Sequence, residues 1–227
     1  LVTLPDVFTS QCFITTDAAG NQLASFHPGA MDRAHEAPWP DAADPALVAI
    51  SPGGHDAMIA QADEALRRGV PYLFDPGQAV PLFEGDELRE LALHAAYAAF
   101  SDYEAAMITE KTGLTPEDLA RAGVTVFHTH GSRGSTVRVA GDAHAWSVPA
   151  APLQLPPGAA PDPVGAGDAY RGGLLWALAR GTDPVEAART ASVVGAMKVE
   201  SRGTQDYALS EPLMRERLGA LPEARRL

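Results

Sequence analysis

Short apolar segments alternate with segments of helical periodicity between residues 46 and 129, and this alternation restricts the folds open to the chain. Segments of strand character lie at 46–51, 71–75, 97–101 and 124–129. Between them, helical spacing covers 56–68, 86–93, 102–112 and a short stretch after Thr115. Strands joined through helices pair in parallel. The sequence therefore predicts an α/β fold with a mostly parallel central sheet and helices on both faces.

The last third of the chain extends this pattern with a strand pair and two more helices. Residues 136–140 and 145–148 predict an antiparallel pair, and the proline-rich residues 149–163 predict a surface loop. A helix is predicted over 167–179, and Asp183 followed by Pro184 indicates the start of another. Both helices are rich in small and apolar residues, so we expect them to be largely buried.

An appendage precedes the alternating part. Residues 7–16 and 22–27 are rich in β-forming residues, and 17–21 have turn chemistry, so residues 7–27 predict a β-hairpin that serves as a lid or an edge element. Pairing of this edge with a second copy would give a homodimer. Cys12 lies within the hairpin, where we expect a free thiol to act as a small hydrophobe.

Composition excludes several classes of partner. The 227 residues suit a single domain over 1–227, and 17 Lys and Arg against 29 Asp and Glu give a net charge of −12, which argues against binding nucleic acid or anionic membranes. No apolar run reaches the roughly 18 residues of a membrane span. One cysteine and the absence of a secretory signal favour a cytoplasmic protein. Because the chain begins at Leu1 in front of a predicted strand, we expect an N-terminal segment to be missing.

The densest chemical signal is a glycine-rich turn that opens a helix at 162–168. Gly165, Ala166 and Gly167 allow backbone N–H groups to converge at the helix N-terminus, where donors and the helix dipole favour an anion such as a phosphoryl group. Asp168 follows in the first turn, where its carboxylate can orient an attacking hydroxyl or accept its proton. The simpler alternative is a glycine turn in which Asp168 only complements the helix dipole.

Residues 162–175 resemble the C-terminal signature of the ribokinase-like (PfkB) family of carbohydrate and nucleoside kinases. The resemblance implies a ribokinase-like fold and an ATP-dependent kinase in which Asp168 is the catalytic base. Residues 129–135 resemble the nucleotide-binding strand and turn of that family, which implies ATP contacts from Thr129, Gly131 and Gly134. Residues 101–104 resemble the Asn-x-x-Glu element, so Glu104 is expected to place Mg²⁺ through water, although Ser101 replaces the Asn.

Within the family, residues 26–31, 75–78 and 102–104 look closest to bacterial adenosine-kinase-like members. The resemblance therefore favours transfer of the γ-phosphoryl group to a primary hydroxyl of an adenosine-like nucleoside. A sugar kinase of the ribose or fructose type is the alternative. The substrate-binding N-terminal segment of the family has no counterpart here, so a non-catalytic nucleotide-binding fragment is a third hypothesis.

Other polar residues receive simpler interpretations. His128 and His130 share one face of a strand, but no third ligand has suitable spacing, so we do not expect a metal there. Arg133 and Arg171 are interpreted as solvated charges rather than phosphate contacts, and Lys198 and Arg202 still more so.

Overall fold

A computed structural model describes residues 2–16, 22–39 and 45–227 of the chain. Strands β1 (Gln11–Thr16) and β2 (Gln22–His27) form an antiparallel hairpin. Within the described residues, seven further strands form one sheet in chain order. They are β3 (Val48–Ile50), β4 (Tyr72–Phe74), β5 (Tyr97–Ser101), β6 (Thr125–Thr129), β7 (Ser135–Arg138), β8 (Ala145–Val148) and β9 (Arg225–Arg226).

The sheet has a parallel half and an antiparallel half. Strands β3 to β6 run parallel, with Val48 opposite Tyr72 and Tyr97 opposite Thr125. Strands β7, β8 and β9 extend the sheet in antiparallel order from β6. The helices between consecutive strands from β3 to β6 thus connect parallel neighbours, as the alternation over residues 46–129 predicted.

Helices cover both faces of the sheet. They are α1 (His55–Arg68), α2 (Gly85–Leu93), α3 (Asp102–Thr112), α4 (Pro116–Arg121), α5 (Ala166–Leu178), α6 (Pro184–Val199) and α7 (Glu211–Ala220). Side chains from the four helices α1 to α4 pack with Phe74 and Phe100 on one face. Helices α5 and α6 pack on the other face, against Leu73 and Phe127. The predicted α/β class with helices on both faces is confirmed.

Strand β4 contributes side chains to the hydrophobic cores on both faces of the sheet, because successive side chains of a strand point to opposite faces. Tyr72 and Phe74 point to the α1–α4 face, whereas Leu73 between them points to the α5–α6 face. All three side chains are fully buried, and each burial stabilises the fold by about 1.5–3 kcal/mol. Strand β4 is therefore apolar along its whole length, which makes it easy to detect in sequence.

Helices α5 and α6 pack closely against each other. A Cβ atom on Gly173 would lie 2.7 Å from the Cα of Ala191, so only glycine allows this approach of the two backbones. Helix α7 packs in turn on α6 through Met214 and Met197. The start of α5 is thereby supported from the sheet side and from α6.

The N-terminal prediction needs two corrections. The hairpin begins at Gln11 and not at residue 7. The carbonyl of Phe8 accepts the N–H of Ala30 at 2.8 Å, so Phe8 bonds to the 3-10 helix Gly29–Glu36 and not to a strand. Cys12 lies in the predicted strand but is exposed, because β1 pairs only with β2 among the described strands. The turn at 17–21 lies outside the described residues.

Several elements were not predicted. They are α7, β9 and the 3-10 helices Gly29–Glu36, Gly77–Leu82 and Gly131–Arg133. In the described part of the chain, no helix is both long enough and apolar enough to cross a membrane.

Candidate active site

The anion-hole loop, defined as Asp162–Asp168, enters α5 through a left-handed glycine. Gly165 is the N-cap of α5 at φ +81°, a conformation that suits glycine, and the side chain of Thr204 lies 3.3 Å from its ideal Cβ position. The N–H of Ala166 donates to the carbonyl of Pro163 at 3.0 Å. The next two amides, of Gly167 and Asp168, lie in the first helical turn, where N–H groups have no intrahelical acceptor. Both residues are exposed, so these donors can face an anion.

A buried lysine holds this loop from behind. Lys198, whose side chain is 0% exposed, donates to the carbonyl oxygens of Asp162 at 2.8 Å and Ser201 at 3.3 Å. The carboxylate of Asp162 accepts N–H bonds from Val164 and Gly203, and these bonds lower its pKa. One ammonium group therefore joins the segment before Gly165 to residues 201–203. This contradicts the interpretation of Lys198 as a solvated charge, because its side chain is fully buried and donates to two backbone carbonyls.

A second buried cation, Arg171, connects the anion-hole loop to residues that follow β4 and β5. Arg171 pairs with Asp75 at 2.8 and 3.1 Å, lies 3.7 Å from Glu104, and donates to the carbonyl of Gly167 at 3.4 Å. Burial alone would lower the pKa of Arg171, but attraction to Asp75 raises it above its ordinary value. The prediction that Arg171 is solvated is wrong, because Asp75 at the end of β4 provides a buried partner.

The nucleotide turn, defined as Thr129–Ser135, lies across the end of β6. Gly131 has φ +59° with open space around its ideal Cβ. Gly134 has φ +91°, and a Cβ there would lie 2.1 Å from the carbonyl oxygen of Val148. The hydroxyl of Tyr170 donates to Ser135 Oγ at 3.0 Å, which connects this turn to α5. The structure thus links the two glycine motifs two residues beyond Asp168.

Glu104 occupies a fixed position at the start of α3. Ser101 caps this helix, since its Oγ accepts the N–H of Glu104 at 3.3 Å, and the Glu104 carboxylate accepts the N–H of Ser101 at 2.6 Å. The serine that replaces the expected Asn therefore has a local role as helix cap. Thr129 lies opposite Ser101 in the sheet and donates to the carbonyl of Phe100 at 3.2 Å. Thr129 thus lies at the carboxyl end of β6, beside the carboxyl end of β5, where Glu104 bonds to Ser101.

A charged cluster lies beneath the nucleotide turn. Asp102 Oδ1 is 2.6 Å from His130 Nδ1 and 3.0 Å from His128 Nε2, while Asp102 Oδ2 accepts from Arg133 at 2.6 Å. The bond from His130 lowers the pKa of Asp102. Burial, reinforced by the charge of His130, lowers the pKa of His128. Arg133 is largely exposed, as expected, but pairs with Asp102.

A cavity of about 860 Å³ opens beside Asp168, lined by that carboxylate and by Trp176, Tyr207 and Met214 among other residues. It lies along the outer face of α5, with α6 and α7 at its sides. Among the described residues that line the cavity, Asp168 is present, whereas Arg171 and Lys198 are not.

The structure brings together most of the residues selected from sequence. Arg171 places Glu104 near the carbonyl of Gly167, and Tyr170 places Gly134 near the same helix. Sequence reasoning assigned no supporting role to Asp75, Asp162 or Lys198. A lysine following the apolar run 193–197 was the available signal for Lys198, whereas nothing local indicated the partner of Asp75.

Comparison with known proteins identifies the family. The family model described as pfkB family carbohydrate kinase matches residues 2–211. This match covers most of the chain and includes the nucleotide turn, Glu104 and the anion-hole loop. The chain belongs to the pfkB family, and the resemblance noted from its motifs is confirmed.

Relatives within the family include nucleoside kinases. The chain is 30% identical to the nucleoside kinase of Methanothermobacter thermautotrophicus over 209 residues, which are 90% of this chain and 65% of the relative. It resembles the nucleoside kinase of Burkholderia thailandensis in complex with inosine at a TM-score of 0.88 and 37% identity, covering 96% of this chain and 71% of that one. It also resembles the structure of the Methanocaldococcus jannaschii nucleoside kinase, at a TM-score of 0.84 and 25% identity. That match covers 95% of this chain and 69% of the other.

The matched region is shorter than these relatives. The chain spans 65%, 50% and 63% of the three curated nucleoside kinases that it matches, which is less than two thirds of each. The fold is nevertheless shared over nearly all of this chain.

Proposed function

We propose that this chain is the nucleotide-binding, catalytic part of an ATP-dependent kinase that phosphorylates a primary hydroxyl of a nucleoside. The observation that carries the proposal is the position of Asp168 in the first turn of α5, beside exposed amides that can receive a phosphoryl group. Arg171 links this turn to Glu104, and Tyr170 links it to the nucleotide turn.

In this proposal each residue has a positional role. Asp168 accepts the proton of the acceptor hydroxyl or orients that hydroxyl for in-line attack. The amides of Gly167 and Asp168 stabilise the charge on the transferred group, because fixed donors at a helix N-terminus need no reorganisation during the reaction. Gly131 and Gly134 let the backbone of the nucleotide turn approach ATP. Thr129, at the start of this turn, also contacts ATP.

The residues present suit a hydrated magnesium ion. The Glu104 carboxylate is an oxygen donor of the type that Mg²⁺ prefers, and its capping bonds with Ser101 fix its position at the sheet edge. A magnesium ion held there would neutralise phosphate charge. Glu104 acts by holding the hydrated ion, and Arg171 keeps Glu104 aligned with the anion-hole loop.

A nucleoside is the favoured acceptor because the matched relatives are nucleoside kinases and one related structure contains inosine. We infer an adenosine-like or inosine-like purine nucleoside as substrate. A sugar is the alternative, since the family model is that of carbohydrate kinases. A nucleotide-binding protein without turnover is the second class of function.

The test is ATP-dependent phosphorylation of adenosine, inosine, other nucleosides, ribose and fructose by the longest natural form of the protein. Asp168→Asn should lower kcat by roughly 10²- to 10⁴-fold, the usual range for a lost general base, while ATP binding persists. Asp63→Asn, which neutralises an exposed carboxylate on α1, is the matched control and should keep full activity.

The outcomes separate the hypotheses. Turnover of a purine nucleoside that depends on Asp168 supports the proposal, and turnover of sugars alone would transfer it to the alternative substrate. ATP binding without any product would favour the non-catalytic function. Equal activity of Asp168→Asn and wild type would exclude the proposed base.

The hairpin carries a separate proposal about assembly. Phe13, Leu23 and Phe26 are largely exposed on β1 and β2, so we propose that the hairpin pairs with a second copy of the chain. Sedimentation equilibrium should show a dimer that dissociates in Phe13→Ser. A wild-type monomer would contradict this assembly and leave the lid as the role of the hairpin.

A further inference from the structure

Three potential metal ligands converge beneath the nucleotide turn. Ligand atoms of Asp102, His128 and His130 all lie within 4.8 Å of one another. The two imidazoles share one face of β6 because they are two residues apart on a strand, and their ring centroids are 4.4 Å apart. Asp102 comes from a different element, since it follows Ser101, which lies opposite Thr129 in the sheet. The third ligand that sequence spacing lacked is therefore supplied by the sheet register.

The orientation of the side chains suits a metal ion. His130 presents Nδ1 to Asp102, while its Nε2 lies 2.8 Å from the hydroxyl of Thr136. A hydrogen bond at the second ring nitrogen is the usual support of a metal-bound histidine, because it fixes the ring and its tautomer. The Asp102 oxygen that faces both rings is Oδ1, whereas Arg133 pairs with Oδ2.

One of the three ligand atoms is not satisfied by the protein. In the described part of the chain, His128 Nε2 is buried and makes no hydrogen bond, although it lies 3.0 Å from Asp102 Oδ1. A buried polar atom without a partner is unfavourable and calls for an explanation such as an ion. Here the unpaired nitrogen lies close enough to the shared carboxylate oxygen for both to bind one ion.

We propose that Asp102, His128 and His130 bind one divalent transition-metal ion of the zinc class. Two imidazoles and one carboxylate are a common ligand set for zinc and leave a position for water or another donor. Imidazole ligands select against Mg²⁺, which prefers oxygen donors, so this site is distinct from that of Glu104.

Metal binding here would join two parts of the molecule. Asp102 is the first residue of α3, and His130 directly precedes Gly131 in the nucleotide turn. An ion bridging them would fasten the turn to the helix that carries Glu104. The proposal does not depend on the kinase assignment, because it rests on the ligand geometry alone.

The experiment is a titration of metal-free protein with Co²⁺, followed by visible absorption. The background variant is Cys12→Ser, which removes an exposed thiol that could bind Co²⁺ independently. We expect one Co²⁺ per chain with the intense bands of four- or five-coordinate cobalt, displaced by Zn²⁺ and unaffected by excess Mg²⁺. His128→Gln, His130→Gln and Asp102→Asn should each weaken binding at least tenfold.

Two further variants sharpen the test. Thr136→Val should weaken Co²⁺ binding by about 10- to 100-fold through loss of the supporting hydrogen bond to His130. His144→Gln, which changes a half-exposed histidine beside Asp142, should bind Co²⁺ like the background. Melting temperatures without metal check that each variant is folded, and Zn²⁺ should raise only those of the proteins with intact ligands.

Co²⁺ that stays in its six-coordinate aqueous form would overturn the proposal. Binding that survives in both His128→Gln and His130→Gln, with both variants folded, would also overturn it. Neither result would affect the kinase proposal, which is tested by nucleoside phosphorylation.

Discussion

The anion-hole loop and the nucleotide turn are both glycine-containing loops beside α5, yet they are held in different ways. Behind the anion-hole loop lie the buried cations Lys198 and Arg171, with side-chain exposures of 0% and 12%. Beneath the nucleotide turn lie His130 and Asp102, the latter half-exposed, together with the exposed Arg133. The ion pairs of the anion-hole loop therefore lie in the interior, whereas those of the nucleotide turn lie at the surface.

In the proposed kinase, this difference would match two separate tasks, phosphoryl transfer at one loop and nucleotide exchange at the other. Groups that stabilise a transferred phosphoryl group must already be in place, because reorganisation during the reaction raises the barrier. A loop that admits and releases a nucleotide can be less rigid. Buried ion pairs, which respond weakly to salt and solvent, suit the first task, whereas half-exposed pairs suit the second.

Lys198→Met should have the largest effect and would remove the interior support of the anion-hole loop. We expect a loss of about 3 kcal/mol in unfolding free energy, since a buried pair loses one partner, and a fall in kcat of about 10²-fold from misplaced amides. The KM for ATP should change much less. Urea denaturation and steady-state kinetics measure these effects.

Arg189→Met is the control for Lys198→Met. Arg189 is also buried on α6 and pairs with Glu186, but it lies near the other end of the helix. We expect a loss of stability with unchanged kcat. If Lys198→Met behaved in the same way, Lys198 would have no role in positioning the anion-hole loop.

Two glycines of the nucleotide turn offer a matched pair of variants. Gly134→Ala should cost about 3 kcal/mol, because the new Cβ would clash with the carbonyl of Val148 in addition to the strain of a positive φ. Gly131→Ala has open space and should cost only about 1 kcal/mol. Thermal unfolding compares the two, and equal losses would show that the turn adapts more freely than its geometry indicates.

Removal of a helix cap should have a smaller effect and tests the position of Glu104 in α3. Ser101→Ala and Thr115→Ala each remove an N-cap with a capping box and should each cost about 1 kcal/mol. Only Ser101→Ala should also raise the Mg²⁺ concentration needed for half-maximal activity, because loss of the bond from the Glu104 N–H to Oγ loosens the first turn of α3, which carries the Glu104 carboxylate. An unchanged Mg²⁺ requirement would show that the bond from the backbone N–H of residue 101 is enough to hold this carboxylate.

Acid sensitivity should be the smallest effect and should arise beneath the nucleotide turn. His128 has a pKa below its ordinary value because of burial and the charges of His130 and Arg138, which outweigh Asp102. The unfolded chain therefore binds the proton first as the pH falls below about 6.5, so stability decreases in that direction. The anion-hole loop contains no histidine.

In metal-free protein, His128→Gln should flatten this acid-side decline in melting temperature relative to wild type. His94→Gln, at an exposed position after α2, should leave the decline unchanged. A decline of equal slope in wild type and His128→Gln would place the acid sensitivity elsewhere.

Much of the fold could be predicted from sequence because its signals are local. Strand β5 and helix α3 were predicted with their observed limits, since an apolar run ends where the capping residue Ser101 begins a helix. The N-terminal limit of the hairpin and the exposure of Cys12 were not, because both depend on which elements pack against that segment. The short helix α7 escaped notice because its sequence has few apolar residues.

The sequence by itself determined the alternation of strands and helices, the glycine turn before Asp168 and the family to which the chain belongs. Only the tertiary structure decided which charges are buried and what they pair with. Arg171 and Asp75 are 96 positions apart, and Asp102 reaches His130 across 28 positions. Local propensity acts over a few residues, whereas the partner of a charge depends on strand register and helix packing, which form only when the whole sheet is assembled.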